Sequence, residues 1–89
     1  MEDEVEGKEV KELILLVSPI CRESLEAAVE LRRWASARGY SLKEVSVLES
    51  EGLRMIENFG IRRIPAAIFN GKLLFQGSIP SDLDSLLNR

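Results

Sequence analysis

The 89-residue chain contains one cysteine and no histidine. Cys21 follows an apolar run at residues 13–17 and a turn signal, Ser18-Pro19, and a helical pattern begins near Arg22. At such a strand-to-helix junction, unpaired backbone N–H groups and the positive end of the helix dipole favour a thiolate over a thiol. This position therefore predicts a nucleophilic cysteine. The alternative is that Cys21 is a small buried apolar residue.

The absence of histidine excludes several kinds of site. Cys-His nucleophilic pairs, Ser-His-Asp triads and zinc sites that use histidine all require the missing side chain. A single cysteine also excludes an internal disulfide, so any disulfide must be formed with another molecule. We therefore predict no metal site and no disulfide staple.

The charge of the chain is unevenly distributed. Residues 1–12 carry six acidic side chains against Lys8 and Lys11, a balance of −4, so that a net charge of −3 leaves the rest at +1. A near-neutral body without a basic stripe argues against nucleic-acid binding. We expect the acidic leader, residues 1–11, to fray in solvent, although residues 9–12 could extend the first strand.

Length and composition predict one soluble globular domain spanning residues 1–89, since 45% of residues are apolar and 30% are charged. No apolar stretch approaches the roughly 18–20 residues of a membrane span. The acidic N-terminus is unlike a secretory signal, which needs a basic start and an apolar core. We therefore expect a cytoplasmic monomer that does not contact membranes.

The periodicity of apolar residues alternates between strand and helix patterns. Gly39 is expected to cap the first helix and Gly60 the second, and Asn70-Gly71 is a strong hairpin signal. The pattern predicts strands at 12–17, 41–47, 66–69 and 72–76, and helices at 22–38, 51–58 and after Ser81, with Ser50 and Ser81 as N-caps and Trp34, Leu53, Met55 and Phe59 as core residues. The first strand, helix and second strand form a βαβ unit with parallel strands. The fold class is therefore α/β, β-α-β-α-β-β-α, with a four-stranded mixed sheet flanked by helices.

Three segments in this order resemble the thioredoxin/glutaredoxin superfamily, a likeness that covers about residues 12–87. Cys21 and Ser24 resemble the Cys-x-x-Cys active-site turn, with serine at the position of the resolving cysteine. Residues 60–65 are similar to the segment that leads to the family's cis-proline, here Pro65, and Gly77 matches the glycine that ends the last strand. The resemblance implies a thioredoxin-like fold and thiol–disulfide exchange.

The resemblance also implies roles for individual residues. Cys21 and Ser24 would be catalytic, with Ser24 donating a hydrogen bond to the thiolate. Arg22, Arg62 and Arg63 would surround Cys21 and attract acidic partners, unless they are ordinary surface charges. The residues that would contact substrate are Pro19, Ile20, Arg22, Arg63, Ile64, Pro65 and Gly77.

The chain departs from the family pattern at three positions. Ser24 cannot release a mixed disulfide as a second cysteine does. Leu15 stands where thioredoxins have a buried acid, and Arg63 stands where glutaredoxins contact glutathione through a threonine. Any turnover would therefore need an external thiol, of which glutathione is one candidate, and no other cofactor is expected.

Three hypotheses follow. The leading one is monothiol, Cys-x-x-Ser thiol–disulfide exchange at Cys21 with a protein or small molecule that carries a thiol or disulfide. The second is a redox-inactive thioredoxin-fold binding or scaffold module, which the serine at position 24 and Leu15 favour. The third is carriage of an iron–sulfur cluster between two chains and two small thiols, as in single-cysteine glutaredoxins.

Overall fold

The computed structural model describes residues 11–87. These residues form an α/β fold in which a four-stranded mixed sheet is flanked by helices, which confirms the predicted class and element order. The elements are β1 (Glu12–Val17), α1 (Arg22–Arg38), β2 (Ser41–Ser46), α2 (Ser50–Phe59), β3 (Ala66–Phe69), β4 (Lys72–Gln76) and α3 (Leu83–Leu87). Of the predicted acidic leader, residues 1–10 lie outside the described range. Lys11 is within it, and its carbonyl accepts a hydrogen bond from the Ser41 backbone N–H at 2.9 Å.

The strands are arranged in the order β2-β1-β3-β4. β1 pairs in parallel with β2, and Val17 lies opposite Ser46 at the end of both strands. β1 also pairs antiparallel with β3, so that Leu16 lies opposite Ala66 at the start of β3. The C-terminal end of β1 therefore meets the C-terminal end of β2 and the N-terminal end of β3 at one end of the sheet.

Each face of the sheet carries its own apolar core, because successive side chains of a strand point to opposite faces. On one face Leu15 packs with Leu31 of α1 and Leu83 of α3. On the other face Leu16 packs with Met55 of α2. Burying one leucine contributes about 1.5–3 kcal/mol, so β1 fixes α1 and α3 to one face and α2 to the other.

Gly52 brings α2 close to the end of β2. It is buried in the first half of the helix, and a Cβ at this position would collide with the Ser46 carbonyl oxygen. A glycine weakens a helix because it loses more backbone entropy than alanine on folding. Here its lack of a side chain permits the close packing of α2 on β2.

The hairpin between β3 and β4 turns at Asn70 and Gly71, whose φ angles are 52° and 74°. Two successive residues in the left-handed region are typical of a type I′ turn, which matches the twist of the flanking strands. The register shifts between Ala67 and Ile68, where β4 contains a bulge. The predicted hairpin is confirmed.

Two predicted core residues are less buried than expected. Trp34 is half-buried at the margin of the core, where the Arg38 guanidinium lies 4.6 Å from its ring centroid and the Tyr40 ring lies 5.4 Å away. A cation over an indole face is stabilised by the ring quadrupole, so this position keeps one face of the ring near solvent. Leu53 is 55% exposed, whereas Met55 is buried as predicted.

The ends of several elements differ slightly from the prediction. α2 begins at Ser50 with Glu49 as its N-cap, so Ser50 is the first residue of the helix and not its cap. α3 begins at Leu83, and the Asp82 carbonyl accepts hydrogen bonds from the backbone N–H groups of Ser85 and Leu86, which makes Ser81 too early for the cap. β2 ends at Ser46, one residue before the predicted end.

Within the described residues, no helix has the length and apolar character that crossing a bilayer requires.

Candidate functional site

The turn between β1 and α1 is held by short-range hydrogen bonds. The Cys21 backbone N–H donates to the Ser18 carbonyl at 3.1 Å, and the Ile20 N–H donates to the Ser18 hydroxyl at 3.4 Å. The Val47 N–H donates to the Val17 carbonyl at 2.8 Å, which ties the start of the turn to the loop after β2. The turn is therefore fixed to the sheet at its first residues.

Cys21 is the N-cap of α1. Its backbone is extended, with φ −106° and ψ 117°, and its carbonyl accepts the first hydrogen bond of the helix, from the Leu25 N–H at 3.1 Å. Its side chain makes no capping hydrogen bond to the backbone. A half-buried thiol thus stands at the positive end of a 17-residue helix, as the sequence predicts.

Glu23 is the side chain that interacts directly with the thiol. The Cys21 Sγ donates a hydrogen bond to Glu23 Oε1 at 3.4 Å. Three influences lower the pKa of Glu23: the bond from its own backbone N–H is the largest, followed by the Cys21 thiol and the charge of Arg22. Glu23 is therefore ionised at neutral pH. An ionised carboxylate at this distance repels a negative charge on the sulfur, whereas the helix dipole attracts one.

Ser24 lies one helical turn after Cys21 and is completely buried. Its hydroxyl oxygen accepts a hydrogen bond from the Ser18 N–H at 3.1 Å, which closes the turn from the inside. A serine hydroxyl has one proton to donate and two lone pairs, so this bond leaves the proton for another acceptor. Ser24 thus stabilises the turn, while the Cys21 thiol is hydrogen-bonded to Glu23.

Pro65 lies at the same end of the sheet as Cys21. The Ile64–Pro65 peptide bond is cis, as the resemblance implied. β3 begins at the next residue, Ala66, which is paired with Leu16 near the end of β1. The antiparallel register therefore brings Pro65 beside the end of β1, where the turn to Cys21 starts.

The end of β4 holds the segment before the cis bond. Gln76 Oε1 accepts hydrogen bonds from the backbone N–H groups of Arg62 and Arg63, at 2.7 and 3.0 Å. The next residue, Gly77, donates its N–H to the Pro65 carbonyl at 2.7 Å. The φ of Gly77 is +95°, and the Arg63 side chain packs against it, with Cδ 3.2 Å from the position of a Cβ.

A groove of about 230 Å³ runs between α1 and the Pro65–Gly77 pair. One side is formed by residues at successive turns of α1, three of which are glutamates, and the other side is formed by residues at Pro65 and from Gly77 onward. The residues that line it include Glu23, Glu26, Glu30, Pro65, Gly77 and Ile79. Because Glu23 both lines this groove and accepts the Cys21 hydrogen bond, the groove begins beside the thiol.

The remaining predicted contact residues differ in exposure. Ile20, directly before the cysteine, is 92% exposed, and Pro19, Arg22 and Arg63 are exposed as well. Ile64 is half-buried. Together with Cys21, Pro65 and Gly77, they belong to the segments that meet at one end of the sheet.

The role of Gln76 and the groove along α1 were missed in the sequence, although Glu23 beside the thiol was expected to oppose a negative sulfur. Gln76 reads as an ordinary strand residue, and only its position before Gly77 could have suggested a role. Glu23, Glu26 and Glu30 share one side of the helical wheel, but this spacing is also typical of a solvent-facing helix.

In the described part of the chain, no group of three or more acidic, cysteine or histidine side chains could hold a metal ion.

Comparison of the chain with models of protein families and with curated proteins gives no match.

Proposed function

We propose that this chain is a thioredoxin-like protein that exchanges thiols and disulfides through its single cysteine. One observation carries the proposal: a half-buried thiol, on the N-cap residue of a 17-residue helix, lies at the same end of the sheet as the segment that enters β3 through Pro65. The helix end favours the thiolate, which is the attacking form in exchange. The segment before Pro65 offers backbone groups beside it to an extended partner.

The proposed reaction balances without an added oxidant. The Cys21 thiolate attacks one sulfur of a partner disulfide, a new sulfur–sulfur bond forms to Cys21, and the other sulfur leaves as a thiolate that takes up a proton. An external thiol, such as glutathione, then attacks the mixed disulfide and regenerates the Cys21 thiol. The external thiol is required because Ser24, which has no sulfur, cannot release the adduct.

The groove favours one class of partner. Its carboxylate wall, Glu23, Glu26 and Glu30, lies on α1 next to the thiol, and no ion pair within residues 11–87 neutralises it. Opposite charges across an interface raise the rate of encounter and select among partners. We therefore propose a disulfide flanked by lysine or arginine as the preferred substrate, in contrast to the acidic partner expected from Arg22, Arg62 and Arg63.

One observation favours the second candidate, a thioredoxin-fold binding module without redox activity. The hydrogen bond from the Cys21 thiol to the Glu23 carboxylate stabilises the protonated, less nucleophilic sulfur. In this alternative the same groove holds its partner without a covalent step.

The experiment that tests the proposal compares wild type, Ser24→Cys and Cys21→Ser. Each is incubated with a peptide disulfide, and the products are identified by intact mass. Wild type should accumulate a mixed disulfide, and Cys21→Ser should accumulate none. Ser24→Cys should release the peptide and form an internal disulfide across the four-residue turn.

Two outcomes would contradict the proposal. If Ser24→Cys retains two free thiols under conditions that modify wild-type Cys21, residues 21 and 24 do not act as an active-site turn. If wild type binds the peptide but forms no adduct, the binding module is the better account.

A further inference from the structure

The segment Arg62–Pro65 has few hydrogen bonds of its own, because it lies between α2 and β3 and belongs to no element. Hydrogen bonds hold this segment at two places, and the partners in both lie at the end of β4. The Gln76 side-chain oxygen accepts from the N–H groups of Arg62 and Arg63, at 2.7 and 3.0 Å. The Gly77 N–H reaches the Pro65 carbonyl at 2.7 Å.

These bonds determine which backbone groups remain for a partner. The N–H groups of Arg62 and Arg63 are occupied by Gln76, and Pro65 has no N–H and already accepts a bond at its carbonyl. Ile64 lies between the two fixed points, and no hydrogen bond of its N–H is found among the described residues. Within residues 62–65, the Ile64 N–H is therefore the backbone donor that remains available to an incoming extended chain.

Gln76 is placed there by strand pairing. It lies opposite Ala66 in the antiparallel β3–β4 register, so its side chain reaches back along the residues that precede β3. A single acceptor oxygen that takes two successive N–H groups restricts both peptide planes at once. The amide group of Gln76 is thus the only side chain of residues 11–87 found to bond to the backbone of Arg62–Pro65.

We infer that Gln76 is a positioning residue, which holds the backbone of Arg62–Pro65 so that a partner paired at Ile64 presents its disulfide to Cys21. The inference rests on the proposed exchange function. It assigns Gln76 no contact with the reacting sulfurs. Its effect is on the alignment of the partner, and misalignment by about 1 Å can lower a reaction rate by up to about a hundredfold.

The chain permits a matched set of variants. Gln76→Glu keeps an acceptor oxygen at the same distance along the side chain, and a carboxylate accepts two N–H groups as an amide oxygen does. Gln76→Met keeps the length without an acceptor, and Gln76→Ala removes the side chain. The use of two variants without an acceptor separates loss of the hydrogen bonds from a packing effect of either substitution.

The test measures the rate of mixed-disulfide formation at Cys21 with two reagents. One is an extended peptide disulfide, which needs alignment, and the other is bis(2-hydroxyethyl) disulfide, which is too small to pair with the backbone. Gln76→Met and Gln76→Ala should react about tenfold to a hundredfold more slowly with the peptide and at the wild-type rate with the small disulfide. Gln76→Glu should react with both at close to the wild-type rates.

Three results would overturn the inference. Unchanged peptide rates in both variants without an acceptor would show that Gln76 positions nothing, and equal losses with both reagents would show an effect on the thiol or on folding. Failure of Gln76→Glu to retain the peptide rate would show that the acceptor is not what matters. If wild type reacts with neither reagent, the exchange function itself fails, and this outcome is distinct from the others.

Discussion

Two opposing influences act on the Cys21 sulfur. The N-terminus of α1 favours the thiolate, whereas the Glu23 carboxylate, 3.4 Å away, accepts a hydrogen bond from the thiol and repels a negative sulfur. The position of the cysteine is evident in the sequence from the strand, turn and helix patterns around it. The direction of the Glu23 side chain is not evident in the sequence, because the favourable interaction with the helix dipole already accounts for a glutamate in the first turn.

Replacement of Glu23 by glutamine should therefore increase the reactivity of Cys21. The substitution removes the negative charge and keeps the size of the side chain. Because the pair is exposed, we expect a modest rise of about two- to fivefold in the rate of alkylation by iodoacetamide at pH 7 and low salt. Glu57→Gln, an equal change of charge on α2, should leave the rate unchanged. A rate for Glu23→Gln equal to or below that of wild type would show that Glu23 does not restrain the thiol.

The same carboxylate should make stability depend on pH. The pKa of Glu23 is lowered from its usual 4.5, mainly by the bond from its own backbone N–H and then by the Cys21 thiol. A group whose pKa is lower in the folded state stabilises the fold above its unfolded pKa and loses this effect as the pH falls through the folded value. The difference in Tm between wild type and Glu23→Gln should accordingly shrink between pH 5 and pH 3. A difference that stays constant over this range would contradict the assignment.

At the scale of elements, α1 joins the thiol to the groove. One end of the helix carries Cys21, and its exposed flank carries Glu23, Glu26 and Glu30 toward Pro65 and Gly77. The boundaries of α1 follow from the sequence, since a proline turn precedes it and Gly39, with φ 77°, ends it. Which flank of the helix faces the groove depends on how α1 packs on β1, and that packing is set by contacts distant in the sequence.

The acidic flank predicts a charge preference that one substitution should reduce. At low salt, wild type should react faster with a lysine-flanked peptide disulfide than with its glutamate-flanked counterpart. Glu26→Gln should lower this ratio by about two- to fivefold, and 0.5 M salt should lower it further, since screening shortens the range of surface charges. Glu57→Gln is the control. An equal ratio for the two peptides with wild type would contradict the proposed class of substrate.

The close packing of α2 on β2 predicts that a side chain at Gly52 lowers the stability of the fold. Alanine is a better helix former than glycine by about 1 kcal/mol, so Gly52→Ala would ordinarily stabilise α2. Because the added Cβ would collide with the Ser46 carbonyl oxygen, we expect a loss of about 1–3 kcal/mol in the free energy of unfolding. Asn58→Ala, at an exposed position of α2, should change stability little. A stabilised Gly52→Ala variant in urea denaturation would disprove the close approach.

Local sequence patterns predict the helices and strands of this molecule well, but they do not predict the side-chain contacts between those elements. The β-α-β-α-β-β-α order, the parallel β1–β2 pair and the β3–β4 hairpin all follow from apolar periodicity and turn residues. The hydrogen bonds from the Arg62 and Arg63 N–H groups to the Gln76 side chain do not, because they join residues 14 and 13 positions apart. The incomplete burial of Trp34 was missed for a related reason, since Arg38 and Tyr40 contact the ring where it packs at the margin of the core.

The site itself depends on the assembled sheet. Cys21 and Pro65 are 44 residues apart and lie at one end of the sheet because β1 pairs antiparallel with β3. Any increase in the exchange rate of Cys21 over that of an ordinary cysteine must therefore come from the folded molecule. It must be absent from a peptide of the same local sequence. The proposed exchange function requires that the fold make this thiol a better nucleophile than a free cysteine.

The most direct measurement is the rate of exchange of Cys21 with bis(2-hydroxyethyl) disulfide at pH 6, in the folded protein and in a peptide of residues 15–27. At this pH a free cysteine, with a pKa of roughly 8.5, is almost entirely protonated, so any stabilisation of the thiolate by the fold has its largest effect. The folded protein should react about tenfold faster than the peptide. A folded protein that reacts at the peptide's rate or more slowly would contradict the proposed thiol–disulfide exchange.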